Sequence, residues 1–235
     1  MSVVSQYLND QAPVQTLNHD FESASVTTII DWAVTQFAPH LALTCSFGGA
    51  SGMVLLDLVL RQYPEIPVLV LDTDLLFAET YALIDLVEAR YQIRVQRVRA
   101  ALSLEQQAVA YGTNLYASAP ERCCQLRKVE PLAHALAPYH GWLTAIRRDQ
   151  SPTRATTPIV SWNAKHELVK ICPLATWTER EIWQYIHAHQ LPYNPLLDQG
   201  YTSLGCYPCT HRPINADPRS GRWVGFAKTE CGLHQ

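Results

Sequence analysis

The sequence predicts an α/β fold built on an open, parallel, twisted sheet. Three observations carry that expectation. Short apolar runs of strand length alternate with longer stretches of helical periodicity. The first such run ends in a glycine turn, Gly48–Gly49, that opens directly into a helix-forming stretch. The 235 residues are 48% hydrophobic and 17% charged, enough to bury one full core. Strand, helix and strand in succession give parallel pairing with right-handed crossovers.

The first element is LALTCSF (41–47), a buried strand running into the glycine turn. SGMVLLDLVLRQ (51–62) follows as a helix, with Ser51 as its expected cap. PVLVLDT (67–73) is a second buried strand. ETYALIDLVEARY (79–91) sets Leu83, Ile84, Val87 and Tyr91 on one helical face. IRVQRVRA (93–100) alternates and reads as a third strand. ERCCQLRKVE (121–130) is helical, and Pro131 either ends that helix or starts a new one at its first turn. WLTAIRR (142–148) is a further strand, while IVSWNA and ELVKICPL pair as a hairpin around Lys165 and His166. TEREIWQYIHAHQ (178–190) opens with a capping box, Thr178 and Glu181. From Leu191 onward Pro, Gly, Asn and Asp are frequent, so an irregular tail wrapping back over the sheet is expected. The expected organisation is an N-terminal segment (1–40), helical or partly flexible and without a motif, and a nucleotide-binding α/β region (41–205). A cysteine motif with a C-terminal tail (206–235) completes the same domain.

Composition narrows the function. The formal net charge of -3 leaves no global basic field for nucleic acid. No apolar run reaches the ~18 residues of a membrane span. The N-terminus has no basic region ahead of an apolar stretch, so no signal peptide is read and a cytoplasmic location is the expectation. Seven cysteines, an odd number, argue for metal binding or catalysis over a disulfide framework. Cys45 and Cys172 lie in apolar runs and read as buried, inert thiols.

The remaining five cysteines carry the chemistry. Cys123–Cys124 and the CxxC pair Cys206–Cys209 are a candidate ligand set for tetrahedral zinc or an iron–sulfur cluster. Adjacent helical residues point about 100° apart, from ~3.6 residues per turn, which suits one small ion poorly. A cluster offers a different iron to each sulfur and suits the adjacent pair better. The alternative is a redox dithiol at 206/209 with the adjacent pair incidental. Cys231 stands alone, four residues from the end.

TCSFGGAS (44–51) has the strand, glycine turn and helix start that present backbone N–H groups to an anion. LDTDLLF (71–77) ends the neighbouring strand and faces the same crevice, where open α/β sheets bind ligands. Candidate binding residues are therefore Ser46, Phe47, Gly48, Gly49, Ser51, Asp72 and Thr73, with Arg148 from IRRDQSPTR. The loop is neither GxGxxG nor a Walker A, so an ordinary strand-to-helix turn is the competing reading. Local basic groups (Arg127 and Lys128; Arg147, Arg148 and Arg154; Arg212, Arg219 and Arg222) accompany the cysteine motifs and favour an anionic ligand.

Together SFGGAS, LDTDLLFAETY, CCQLRKVEPL, RRDQSPTR, NPLLDQGYTSLGCYPCT, GRW and KTECGLH resemble the assimilatory sulfonucleotide reductases. This family contains the adenosine 5′-phosphosulfate (APS) and 3′-phospho-APS (PAPS) reductases. The PAPS-type reductases keep the ECGLH tail but usually lack the two cysteine pairs, so having both pairs points to the APS branch. The resemblance implies an adenine-nucleotide α-hydrolase-like sheet with the tail over the active site. It implies a [4Fe–4S] cluster on Cys123, Cys124, Cys206 and Cys209, and Cys231 as the nucleophile. Lys128, Arg219, Arg222 and His234 match the family's charge-stabilising positions. The implied reaction is reduction of APS to sulfite and AMP in sulfate assimilation and cysteine biosynthesis, through an S-sulfocysteine, with thioredoxin or glutaredoxin as reductant. PAPS reduction is the neighbouring alternative. A cluster-bearing tRNA-thiolating enzyme and a nucleotide-binding redox sensor are the more distant ones. The loop reads SFGGAS where the wider ATP-pyrophosphatase superfamily has SGGxDS, which speaks against ATP cleavage. Oligomeric state, including a homo-oligomer, stays open.

Overall fold

A computed structural model describes residues 11–215, 217–228 and 230–233. Two helices lead, α1 (Gln11–Phe21) and α2 (Val26–Phe37). Ser25 caps α2 by accepting from the Thr28 N–H at 3.1 Å, and Ile29, Ile30 and Ala33 then face inward. The alternation expected from the sequence follows: β1 (Leu41–Thr44), α3 (Ala50–Leu60), β2 (Val68–Asp72), α4 (Ala78–Tyr91) and β3 (Val95–Arg99). Short helices α5 (Leu104–Tyr111), α6 (Leu115–Ser118), α7 (Pro120–Cys124) and α8 (Glu130–Leu136) precede β4 (Gly141–Thr144). The hairpin β5 (Val160–Asn163) and β6 (Leu168–Ile171) and helix α9 (Glu179–His189) complete the regular structure.

The six strands form one sheet in the order β3-β2-β1-β4-β6-β5. Every pairing is parallel except β5 with β6, the predicted hairpin, which adds an antiparallel edge. The order reverses direction at β1, with β2 on one side and β4 on the other. That switch point leaves a crevice beyond the carboxyl ends of β1 and its neighbours. Gly141 lets α2 close on the start of β4: a β-carbon there would lie 2.7 Å from Leu41 and 2.8 Å from the Phe37 ring.

The core is apolar where the periodicity placed it. Leu83, Ile84 and Val87 of α4 are buried and Tyr91 packs against them half-buried. Cys45 and Cys172 are fully enclosed, and burial pushes both thiols up to about 12. They are inert at neutral pH, as expected of buried cysteines.

Two local details differ from the sequence reading. Ser51 does not cap α3; Gly49 occupies the N-cap with no side-chain bond, and Ser51 points instead to Arg147. The helix through 121–130 is not uniform, because residues Gln125–Val129 form a π turn. Pro131 supplies the reason: it has no N–H for the Arg127 carbonyl, and the ladder slips so that the Glu130 N–H bonds the Gln125 carbonyl. Pro131 thus sits in the first turn of α8, the second of the two outcomes its position allowed. The capping box at α9 is present as predicted, with Thr178 N–H to Glu181 at 2.7 Å and Glu181 N–H to Thr178 at 3.3 Å.

Asp72 illustrates how an end-of-strand carboxylate is committed. It is fully buried and accepts from Tyr81 at 2.8 Å and from both Arg99 donors at 2.9 and 2.8 Å. Burial works to raise its carboxyl, but Tyr81 and Arg99 overcome burial and hold it below the ordinary carboxylate value. A depressed folded-state value means stability present above about pH 4 and lost as pH falls through the native titration. Asp72→Asn is therefore expected to lose about 2 kcal/mol at pH 7, from charged hydrogen bonds discounted for the exposed Arg99. Urea melts at pH 7 and in acid check it: the gap between variant and wild type closes as pH drops.

Among the described residues no helix is long and apolar enough to cross a membrane.

Candidate active site

Beyond the carboxyl ends of β1, β2 and β4 lies a cleft of about 600 Å3. Its floor is the loop from Thr44 to Gly52, one wall is the segment from Thr144 to Arg154, and the other is the chain from Leu197 through the tail. The floor matches the expected anion loop in part. Ser46, Gly48, Gly49, Ser51 and Thr73 all line the cleft. The region around Gly49 is open, so its backbone is accessible to a ligand. Gly48 is needed for a different reason, since a β-carbon would meet the Leu204 β-carbon at 2.9 Å.

Three expected binding residues lie elsewhere. Phe47, at φ 54°, turns its ring wholly into the core, and its carbonyl accepts from Asn194 at 3.1 Å. Asp72 is engaged by Tyr81 and Arg99 on the other side of β2. Arg148 grips Glu22 at 2.6 and 2.9 Å and the Thr157 carbonyl at 2.9 Å, fastening the end of α1 to the loop. Its neighbours Arg147 and Arg154 face the cleft in its place. A count of basic residues in IRRDQSPTR could not choose among them; the extended backbone at Arg147 did, by sending successive side chains to opposite sides.

The two cysteine pairs converge. Cys123, Cys124, Cys206 and Cys209 line one small enclosed cavity together with Arg127, Lys128 and Trp223. The π turn swings Arg127 and Lys128 inward at the end of the helix that carries the adjacent pair. The CxxC turn is stitched to the β2–α4 loop by Tyr207 N–H to the Leu75 carbonyl at 2.7 Å. It is stitched to the tail by Trp223 N–H to the Cys209 carbonyl at 3.1 Å. Arg127 braces the same loop, donating to the Thr73 carbonyl at 2.6 Å and pairing with Asp74.

All four thiols are free. Burial pushes Cys123 up to about 12, with Cys124, Cys206 and Cys209 adding to it, and pushes Cys209 up to about 11. Burial works the same way on Cys206, but Lys128, the Thr73 hydroxyl at 3.3 Å and Arg222 overcome it and hold that thiol below its usual value. No three His, Cys, Asp or Glu side chains among the described residues are grouped so as to hold a metal ion. Four enclosed, mutually unfavourable thiols around one cavity, with cations behind them, fit a group that offers several metal centres to separate sulfurs.

The tail closes the cleft. Cys231 is half-buried and lines it, as do Lys128, Arg219 and Arg222. Lys128 is nearly inaccessible; burial opposes its charge, but the thiols of Cys206, Cys231 and Cys124 outweigh burial and hold the ammonium above the ordinary lysine value. Arg222 lies over the Trp223 ring at 4.4 Å and donates to Ser203 at 3.3 Å, while its buried Nε has no partner among the described residues. Gly205 makes that packing possible, since a β-carbon there would fall 2.2 Å from the Arg222 guanidinium. Arg219 donates to Ser203 at 3.3 Å and pairs with Glu230 at 3.0 Å. Lys165 donates to the Gly232 carbonyl at 2.9 Å, and Leu233 packs against the cluster around Trp142. His234, expected from the tail motif, lies outside the described residues. Glu230 was not singled out in the sequence; its place between two arginines gives it its interest.

The phosphoadenosine phosphosulfate reductase domain matches residues 40–212. The chain belongs to the phosphoadenosine phosphosulfate reductase family. Relatives within this reach cover nearly the whole chain. The chain is 48% identical to the adenosine 5′-phosphosulfate reductase of Shouchella clausii, over 94% of this chain and 92% of that protein. It is 43% identical to adenosine 5′-phosphosulfate reductase 1 of Bacillus subtilis, over 97% and 99%. It is 45% identical to the phosphoadenosine 5′-phosphosulfate reductase of Gloeobacter violaceus, over 96% and 95%. Among solved structures the phosphate complex of the Candida auris phosphoadenylyl-sulfate reductase superposes with a TM-score of 0.76 at 31% identity, covering 86% of this chain and 98% of that one. The FMN adenylyltransferase of Candida glabrata shares the fold at a TM-score of 0.59 and 17% identity, covering 89% of this chain and 69% of that one. The open sheet with its cleft at the β1 switch point is thus the reductase family's adenine-nucleotide α-hydrolase-like fold.

Proposed function

We propose that this protein reduces APS to sulfite and AMP in sulfate assimilation, with Cys231 as the nucleophile. The observation that carries this reading is the position of Cys231, a tail thiol half-buried in a cleft with Lys128, Arg219 and Arg222. A fixed set of cations around a thiol favours attack on an anionic electrophile.

The chemistry is written in two displacements. The Cys231 thiolate attacks the sulfur of the sulfate group; a sulfur–sulfur bond forms, the bond from sulfur to the phosphate oxygen breaks, and AMP leaves. A thiolate of a dithiol reductant, thioredoxin or glutaredoxin, then attacks the Cys231 sulfur and releases sulfite with the bonding pair. The second thiol of the reductant resolves the mixed disulfide, so the reductant is oxidised by two electrons and Cys231 is returned. The anion loop at Gly48–Gly49 and Ser51 orients the nucleotide phosphate, and Thr73 bounds the same floor. Lys128, Arg219 and Arg222 offset the negative charge that grows on sulfonate and phosphate oxygens, and His234 serves as a further donor from the tail. A [4Fe–4S] cluster held by Cys123, Cys124, Cys206 and Cys209 supplies, when bound, a compact charge that tunes the field at Lys128. Seven thiols, all free, favour a reducing cytoplasm.

The Gloeobacter violaceus relative, at 45% identity, keeps PAPS in view as a second substrate. Comparison of kcat/KM for the two nucleotides separates them, and APS is expected to lead. The proposal as a whole is tested on protein purified without oxygen. Iron and acid-labile sulfide near four of each per chain are expected, as is a sulfite adduct on Cys231 by peptide mass spectrometry after incubation with APS alone. An adduct on another cysteine, or none, overturns it.

A further inference from the structure

Glu230 is held by two arginines from different parts of the chain. It pairs with Arg154 at 3.1 Å and with Arg219 at 3.0 Å, and all three side chains are mostly shielded from solvent, at 17–18% exposure. Arg154 comes from the loop after β4 and is itself held by Gln150 at 2.7 Å. Arg219 comes from the segment after the CxxC turn. Both guanidiniums line the cleft, as does Glu230. The residue next in sequence is Cys231.

The other tail contacts differ in kind. Lys228 pairs with Glu121, which is largely exposed on α7, and Lys165 reaches only a backbone carbonyl, at Gly232. Glu230 alone among the described tail residues joins its carboxylate to cations inside the cleft. A carboxylate shared by two fixed guanidiniums is held in distance and in angle, firmly in dilute buffer and less so at molar salt, where screening is short-ranged. The backbone of the next residue is then fixed as well.

We infer that Glu230 is a positioning residue whose carboxylate, seated between Arg154 and Arg219, latches the tail and aims the Cys231 thiol into the cleft. The inference rests on the reading of Cys231 as nucleophile. The latch is electrostatic, so it closes the tail for the first displacement and yields without breaking a covalent bond when the reductant must reach Cys231. Loss of its charge frees the tail while leaving the two arginines and the anion loop in place.

The test uses the anaerobically purified full chain with Glu230→Gln, a near-isosteric change. The first readout is the rate at which a bulky maleimide labels Cys231, resolved from the other cysteines by peptide mass spectrometry. Glu230→Gln is expected to raise it on the order of tenfold, the loss of two partly shielded ion pairs. Molar salt is expected to raise the wild-type rate toward that of the variant and to leave the variant's rate nearly unchanged. The second readout is a single turnover with saturating APS. Adduct formation on Cys231 is expected to slow on the order of tenfold with little change in half-saturation, since aim acts on the step and not on nucleotide binding. Glu230→Asp, which keeps the charge, is expected to recover part of both. Labelling at the wild-type rate in Glu230→Gln overturns the latch, as does a raised half-saturation with an unchanged maximal rate. Faster labelling in Glu230→Gln together with full sulfite production by Cys231→Ser keeps the latch and removes the nucleophile reading instead.

Discussion

Replacing Cys231 by serine abolishes sulfite formation, by at least about a thousandfold, the scale of losing a nucleophile. Serine preserves the size of the side chain and its place on the tail. What it removes is the attacking sulfur: a hydroxyl at neutral pH is far less ionised and far less nucleophilic than a thiol. The contacts on either side, Glu230 with its arginines and the Gly232 carbonyl with Lys165, do not depend on the sulfur. Nucleotide binding is therefore expected to survive, and equilibrium binding of AMP measured beside the rate checks this. The outcome that sinks the mechanism is free sulfite at an undiminished rate from the serine variant with APS and a dithiol.

Replacing Lys128 by methionine slows formation of the Cys231 adduct by about 100- to 1000-fold, the range seen when one preorganised donor is taken from a transition state. Methionine fills a similar volume, so the change is chiefly electrical. Lys128 stands between the enclosed thiols and the cleft, within electrostatic reach of Cys206, Cys124 and Cys231. Its ammonium lines both the thiol cavity and the cleft. The sign of its pH dependence follows from the direction of its shift. Burial alone would lower it, but the surrounding thiols hold it above the ordinary lysine value, so the native state binds this proton more tightly than the unfolded chain. Its contribution is complete below the ordinary value and is lost only as pH rises through the native one. The ratio of wild-type to variant rate is thus expected to stay flat from neutral pH to about pH 10. Quenched single turnovers across that range measure it; a ratio that collapses near pH 8 would mean that another group carries the effect.

The parts of this protein legible in the sequence are those set by local chemistry. The buried strands, the hairpin around Lys165 and His166 and the capping box at Thr178 follow from periodicity and side-chain type over a few residues. Each appears where it was expected. The cap at Ser51 did not, because a serine two residues into a helix has a better partner when Arg147 arrives from the loop after β4. The π turn at Gln125–Val129 was written in Pro131, yet the missing N–H alone could not say whether the helix would stop or slip.

Which of several like residues reaches the cleft was not legible. Phe47, Asp72 and Arg148 lie within stretches that bind, but the core, Arg99 and Glu22 engage them. Arg147 and Arg154 take the place expected of Arg148, and Glu230 turns from a tail acid into a shared counter-ion. The sequence by itself determined the sheet, the enclosure of Cys45 and Cys172, and the inventory of thiols and cations, because hydrophobic period and residue chemistry are local properties. The family resemblance had already joined the two cysteine pairs and set Cys231 with Lys128; only the tertiary structure decided that Arg147 and Arg154 line the cleft and that Glu230 sits between Arg154 and Arg219. Those meetings depend on the direction each side chain leaves its backbone and on long-range strand pairing, and neither is encoded in any short window of residues.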